Sequence, residues 1–125
     1  MNTNESPVTE SASRRNPCFD TDSTIAALNV VADDGISYLL PYAQFLNSER
    51  TPNPALEKEP DAPPEKLLIR FAVAQVTVTG TGLNALERAL QKCELKFVKS
   101  ADQRYATTLK SHVAAISITF TKGVA

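Results

Sequence analysis

The most constraining feature of this sequence is a strand pattern that leads directly into a helix pattern, over residues 76–92. Val76 and Val78 alternate with threonines, which is typical of a strand with one face buried and one face in water. Gly80-Thr81-Gly82 follows, and an amphipathic helix is predicted from Leu83 to Glu94. A half-exposed strand, a glycine turn and a helix therefore have to pack together in this part of the chain.

The glycine turn also suggests phosphate binding, because Gly80–Ala85 satisfies a relaxed dinucleotide-binding pattern. Asp102 follows 22 positions after Gly80, near the distance expected for a ribose-binding carboxylate. Two observations count against this interpretation: the alternating threonines leave one strand face wet, and only 23 residues follow Asp102. We therefore expect a structural corner with Thr81 or Gly82 as the helix cap, and keep nucleotide or phosphate binding as a second alternative function.

The remaining strand patterns predict the fold class. Asp33-Asp34-Gly35 predicts a hairpin turn, and a change of apolar parity near Ala74 predicts either a bulge or a second, tight hairpin, of which we favour the hairpin. The segments with strand patterns are 24–31, 36–40, 67–71, 75–79, 95–99 and 113–120. Together they predict a small α+β fold, in which a mostly antiparallel sheet of five or six short strands packs with one main helix, residues 83–94.

Composition divides the chain into a tail and one domain. Residues 1–20 are polar and are predicted to form a disordered tail, because they cannot bury enough apolar surface to offset the loss of chain entropy. Residues 21–125 are predicted to form a single α+β domain. Residues 51–66 hold five of the eight prolines, which predicts an exposed loop within that domain. For Tyr42–Leu46, a helical turn and a packed loop remain open alternatives.

Several classes of protein and site are disfavoured by what the sequence lacks. No run approaches the roughly 20 apolar residues of a membrane-spanning helix, and the polar N-terminus is not typical of a signal peptide, so we expect a soluble, cytoplasmic protein. The two cysteines and single histidine do not have the spacing of a structural zinc site. We expect no metal and no cofactor, with Cys93 as a small buried apolar residue and Cys18 as incidental.

Charge is distributed unevenly along the chain. Residues 1–66 carry five basic and eleven acidic side chains, whereas residues 67–125 carry eight basic and three acidic ones. Four of the basic residues are predicted to lie on one side of the helix and the following strand, as a candidate anion-binding or nucleic-acid-binding face: Arg88, Lys92, Lys96 and Lys99. Phe97 is expected to point inward rather than to stack on bases. A nucleic-acid-associated protein is therefore the first alternative function, less favoured than protein binding.

Catalysis is not predicted. His112 is the only histidine and has no recognisable nucleophile motif near it, so we expect a boundary residue rather than a catalytic base. The densest aromatic and aliphatic cluster is a candidate partner surface or dimer seam, or else completes the core: Tyr38, Leu39, Leu40, Tyr42, Phe45 and Leu46. The expected function is that of a small non-catalytic accessory or protein-interaction module that binds an unknown protein or itself.

Overall fold

A computed structural model describes residues 16–106 and 108–121 of the chain. Over these residues the chain forms eight strands, one α-helix and three short 3-10 turns. The strands are β1 (Phe19–Thr21), β2 (Ala27–Val31), β3 (Ser37–Pro41), β4 (Phe45–Pro52), β5 (Glu65–Phe71), β6 (Ala74–Thr81), β7 (Leu95–Lys99) and β8 (His112–Phe120), and the helix is α1 (Asn84–Gln91). The 3-10 turns are Tyr42–Gln44, Pro54–Glu57 and Gln103–Tyr105.

The strands form two four-stranded sheets. The first sheet has the order β1-β7-β2-β3 and the second has the order β4-β5-β6-β8. All neighbours are antiparallel except β2 and β7, which run parallel. The α+β class with one helix is thus confirmed, but the expected single sheet of five or six strands is wrong. Two strands were missed because β1 has only three residues and because the polar β4 lacks an apolar alternation.

Both predicted hairpins are present. In the first, Gly35 takes a φ of +86° in the turn between β2 and β3, a conformation that favours glycine. In the second, Arg70 pairs with Gln75, so that only a two-residue turn separates β5 from β6. This turn explains the change of apolar parity: Ile69 and Phe71 point to the core from β5, and Val76 and Val78 point to it from β6.

One buried cluster of apolar side chains joins the two sheets and the helix. Leu28, Val30 and Val98 enter it from the first sheet, while α1 contributes Leu86 and Leu90. The helix supplies one apolar stripe, as the sequence predicted. Within the described residues, no helix is long and apolar enough to cross a membrane.

The helix ends three residues before the predicted Glu94. The N–H of Cys93 donates to the carbonyl of Leu90 at 2.9 Å, and the N–H of Glu94 donates to that of Ala89 at 2.8 Å, which together form a Schellman motif. Cys93 takes a φ of +56° and is exposed, so its predicted burial is wrong. Cys18, expected to be incidental, is instead fully buried and accepts a hydrogen bond from the N–H of Val113.

The ends of two predicted segments differ from the structure. Residues 16–20, assigned to the tail, are part of the fold, because the side-chain amide of Asn16 donates to the carbonyl of Ser111 and β1 begins at Phe19. The rest of the predicted tail, residues 1–15, lies outside the described residues. The Pro-rich connection is shorter than residues 51–66, since β4 continues to Pro52 and β5 begins at Glu65. Asn53 holds this connection together through hydrogen bonds to Pro63 and Ala55.

Candidate binding surface on the first sheet

The first sheet presents apolar side chains on both of its faces. On β2, Leu28 and Val30 are fully buried in the core, whereas Ala27 and Val31 point to the opposite, outer face. Because side chains alternate along a strand, the register places Leu39 of β3 on that outer face as well. Leu39 is 71% exposed. The outer face therefore carries apolar surface that the rest of the described chain leaves open.

A shallow groove of about 420 Å³ runs across this outer face. It is lined by Ile25, Ala27, Asn29, Val31, Leu39, Lys96, Phe97 and Lys99. Apolar side chains from three strands form most of the groove, and two lysines from β7 add positive charge. We refer to these eight residues as the outer groove.

Phe97 lies in the outer groove, so its predicted inward orientation is wrong. The reason is a register irregularity between β1 and β7: Asp20 pairs with Phe97, whereas Thr21 pairs with Leu95. This irregularity places both Leu95 and Val98 in the core and leaves Phe97 half-buried on the outside. The sequence Leu95–Lys99 therefore does not follow the strict alternation on which the inward prediction rested.

One of the two lysines in the outer groove lies close to this aromatic ring. Lys99 Nζ lies 5.9 Å from the ring centroid of Phe97, within reach of a cation–π contact. Among the described residues, neither Lys96 nor Lys99 forms an ion pair. Lys96 also acts on Asp22: hydrogen bonds from Thr24 lower the pKa of the Asp22 carboxyl, and the positive charge of Lys96 lowers it further. The groove thus has positive charge that the surrounding chain neutralises only in part.

The other two members of the predicted basic face lie elsewhere. Arg88 lines a separate groove between α1 and β4, together with Phe45, Asn47, Ser48, Glu87 and Gln91. Lys92 follows the last residue of α1 and is exposed. The structure therefore brings Lys96 and Lys99 into one groove, which neither Arg88 nor Lys92 lines.

The predicted partner surface is divided between packed and exposed side chains. Tyr42 and Phe45 pack against the core, with ring centroids 6.1 Å apart, and the hydroxyl of Tyr42 donates to the carbonyl of Leu95 at 2.7 Å. Tyr38 is half-buried and contacts the ring of Phe120 at a centroid distance of 5.3 Å. Leu46 is 63% exposed, at an irregularity in the pairing of β4 with β5. Leu39 of the same cluster is more exposed than Leu46, and Leu40 is buried in the core.

The glycine corner that suggested phosphate binding is filled by a carboxylate of the chain itself. Gly82 takes a φ of +63°, and its N–H and that of Leu83 donate to the carboxylate of Glu65 at 3.2 and 3.0 Å. A helix N-terminus attracts anions because its first N–H groups have no partner within the helix. Here Glu65 takes that place, and Arg50 lies 3.8 Å from the same carboxylate. The predicted caps, Thr81 and Gly82, are replaced by a side chain that comes from the neighbouring strand.

The other residues that could act in catalysis or ligand binding make hydrogen bonds within the fold or are buried. Asp102 accepts a hydrogen bond from the N–H of Arg104 at 2.9 Å, as the cap of a 3-10 turn. His112 is buried, and its Nε2 lies 3.1 and 3.2 Å from the carbonyl oxygens of Ala101 and Asp102. Burial raises the pKa of the Cys18 thiol, which disfavours the reactive thiolate. Over residues 16–106 and 108–121, no group of three or more His, Cys, Asp or Glu side chains could hold a metal ion.

Comparisons of the chain with protein-family models, with curated proteins and with solved structures found no match.

Proposed function

We propose that this chain is a small non-catalytic protein-interaction module, and that the outer groove binds a partner segment rich in apolar and acidic residues. One observation carries the proposal: the outer face of the first sheet combines exposed apolar side chains with two lysines that have no ion-pair partner among the described residues. Apolar surface favours a partner that covers it. The lysines favour carboxylates at the rim of the same partner.

The strand sequences support a covered outer face. Strands that are covered on both faces have apolar residues at both odd and even positions, whereas half-exposed strands alternate apolar with polar residues. In Ala27–Val31 only Asn29 is polar, and Ser37–Pro41 contains the adjacent pair Leu39 and Leu40. The composition of these two strands thus fits a sheet whose second face is covered when the protein is bound to its partner.

The absence of catalysis is part of the proposal and is supported by the state of the nucleophile and base candidates. Cys18 is fully buried, and the ring of His112 is held between backbone carbonyls. Neither is among the residues that line the outer groove. A cytoplasmic location is also part of the proposal, supported by two cysteines that are not joined to each other.

Fluorescence anisotropy with a short labelled peptide that alternates leucine with aspartate tests the proposal. We expect saturable binding, and we expect the double variant Lys96→Glu and Lys99→Glu to weaken it roughly tenfold or more, or about 1.4 kcal/mol. The matched control is Lys92→Glu with Lys110→Glu, which makes the same charge change at two exposed lysines outside the groove. Equal losses from both double variants would mean that net charge, and not the groove, determines binding.

A specific observation also favours a second candidate, nucleic-acid binding. Phe97 lies on the outer face between Lys96 and Lys99 in the sequence, and a partly exposed ring beside positive charge is a common platform for an unpaired base. Asp20 pairs directly with Phe97 and places a carboxylate beside that platform, which makes it the less favoured candidate. Its test is anisotropy with labelled single-stranded RNA and DNA at increasing salt. Binding that weakens steeply with salt and is lost in Phe97→Ala would favour nucleic acid over an acidic peptide.

Phosphate binding at the glycine corner is the least favoured of the three functions. A phosphate would have to displace the Glu65 carboxylate from the N–H groups of Gly82 and Leu83. No change in melting temperature is expected with ATP or NAD, and a stabilising shift abolished by Gly82→Val would reverse this ranking.

A further inference from the structure

The exposed edge of β3 is a second surface with the properties of an interface. β3 is the last strand of the first sheet and pairs only with β2 among the described strands. An edge strand presents a row of unpaired N–H and C=O groups, which another strand can use. This edge lies beside the outer groove, but it is a different surface, formed by backbone groups rather than by the sheet face.

The hydrogen bonds that flank the β2–β3 ladder show which backbone groups point outward. The N–H of Ala32 donates to the carbonyl of Ile36 at 3.0 Å, and the N–H of Tyr42 donates to that of Ala26 at 2.9 Å. In an antiparallel pair, every second residue bonds to the neighbouring strand. Tyr38 and Leu40 therefore bond to β2, and the backbone groups of Ser37, Leu39 and Pro41 point away from it.

The other edges of the two sheets have features that hinder pairing with a further strand. β1 is only three residues long and contains Asp20. β4 is irregular near Leu46 and carries Glu49 and Arg50. The outward groups in the first part of β8 already bond within the chain, since the N–H of Asp33 donates to the carbonyl of Ile116 at 3.2 Å and the N–H of Ala101 donates to that of Val113 at 3.0 Å.

By contrast, the edge of β3 is uncharged and accessible. Residues 36–41, Ile-Ser-Tyr-Leu-Leu-Pro, contain no charged side chain, and Ser37, Leu39 and Pro41 are all exposed. Natural edge strands usually carry a charge, a bulge or a cover that prevents association. The β3 edge has none of these protections and lies beside the exposed Leu39. Both properties favour pairing of β3 with a strand from another molecule.

We propose that two copies of this chain associate through antiparallel pairing of their β3 edges, in the register that places Leu39 opposite Leu39 of the second copy. In this register the two Leu39 residues exchange two hydrogen bonds, and each Ser37 N–H donates to the carbonyl of Pro41 in the other copy. Pro41 lacks an N–H, so only its acceptor is used. A two-fold axis at Leu39 makes the edge complementary to itself.

The charge and the two-fold geometry of the β3 edge favour a second copy of this chain as the partner. With no charge on residues 36–41, the two-fold arrangement brings no like charges opposite one another. The two Leu39 side chains lie side by side on the outer face and remove part of each other's surface from water. Pairing joins the two first sheets into one continuous sheet of eight strands and sets the two outer grooves next to each other.

Light scattering coupled to size-exclusion chromatography tests the association. We expect a mass twice the 13.5 kDa of the chain, and a monomer for Leu39→Lys, because a charge at the axis would face its own copy. The matched control is Leu46→Lys, at the other strongly exposed leucine, which should remain a dimer. A wild-type chain that stays a monomer at millimolar concentration would overturn the proposal, as would a Leu46→Lys variant that alone becomes monomeric.

Disulfide cross-linking tests the register. In a Cys93→Asn background, which removes the exposed thiol, Leu39→Cys should form a covalent dimer on oxidation, because opposite hydrogen-bonded residues have Cα atoms about 5.5 Å apart. Ser37→Cys should not, since its two copies would lie about 13 Å apart along the strands. Cross-linking of the Ser37→Cys variant but not of the Leu39→Cys variant would contradict this register, and a dimer in which neither variant cross-links would place the interface elsewhere.

The β3 dimer and the proposed peptide binding can be tested separately. Lys96→Glu with Lys99→Glu should weaken peptide binding and leave the dimer intact, because neither lysine lies on β3. Loss of the dimer in that variant would contradict pairing through the β3 edge.

Discussion

The outer faces of the two sheets differ in composition, although both sheets contribute to the same core. On the second sheet, the outer positions of β6 and β8 include Gln75, Thr77 and Ser117, and Arg70 of β5 forms an ion pair with Glu49 at 2.9 Å. On the first sheet, the corresponding face carries the apolar outer groove. One outer face is thus polar and the other largely apolar, so we expect stability to depend on the shared core and the proposed binding to depend on the first sheet.

The largest expected effect comes from the inner side of the second sheet, at Gly80. A Cβ at this buried position would collide with the backbone carbonyl of His112, so Gly80→Ala should destabilise the fold by about 3 kcal/mol or more. Gly35→Ala is the control: its φ of +86° is unfavourable for alanine but no atom lies within 4 Å, and the cost should be about 1 kcal/mol. Urea denaturation measures both. Equal costs would mean that the close approach of β6 and β8 is not what requires glycine at position 80.

Two adjacent valines in β2 test the difference between inner and outer faces directly. Val30 is fully buried, and Val30→Ala should cost about 2 kcal/mol through lost burial and a cavity. Val31 lines the outer groove, and Val31→Ala should cost about 0.5 kcal/mol or less while weakening binding of the leucine-aspartate peptide. Denaturation and peptide titration of the same two proteins separate the effects. A large stability loss from Val31→Ala would show that something within the chain already covers the outer face.

Tyr42 tests the contact between the two sheets and predicts a pH dependence. Its hydroxyl donates to Leu95 of β7, and its ring packs on Phe71 of β5, so Tyr42→Phe should cost about 1 kcal/mol at neutral pH. Burial raises the pKa of Tyr42 in the folded protein. Its contribution to stability is therefore present below the unfolded pKa of about 10 and is lost as the pH rises above that value. The difference in unfolding free energy between wild type and Tyr42→Phe should therefore narrow in alkali, and a difference that stays constant from about pH 7 to about pH 11 would contradict this prediction.

The smallest expected effect is a stabilisation at the end of α1, away from both outer faces. Cys93 adopts a φ of +56° at the position of a Schellman motif where glycine is usual. Cys93→Gly should raise the free energy of unfolding by about 0.5–1 kcal/mol and leave peptide affinity and dimer mass unchanged. Thermal denaturation measures the gain, and Cys93→Ala, which keeps the positive φ without the thiol, is the control. A gain in both variants would assign the effect to the thiol rather than to the backbone.

The elements that local patterns specify were predictable from the sequence. Strict alternation located β6, and the parity change at Ala74 located the β5–β6 hairpin, because both depend on neighbouring residues alone. β4 was not predictable: its residues are mostly polar and become a strand through pairing with β5, which follows after a 12-residue connection. β4 is a strand because it pairs along the edge of the second sheet, and that pairing depends on the whole fold rather than on neighbouring residues.

The candidate surface was predictable only in part. Lys96 and Lys99 were identified from charge, but Phe97 was assigned to the wrong face because the register irregularity beside Asp20 cannot be seen in the strand itself. Leu39 belonged to the predicted aromatic and aliphatic cluster, and a further signal for its outward position was present in the sequence. Apolar residues at both parities in β2 and β3 indicate two covered faces, and a single covering helix can serve only one of them.

The Glu65 cap has a consequence for the order in which the fold assembles. An eight-residue helix is too short to persist alone in water, and the N–H groups of Gly82 and Leu83 find their acceptor on β5, 17 and 18 residues earlier in the chain. That acceptor is in place only after β5 has paired with β6. We therefore expect the β5–β6 hairpin to form in the folding transition state and α1 to form after it, so that substitutions in the helix change the unfolding rate while substitutions in the hairpin change the folding rate.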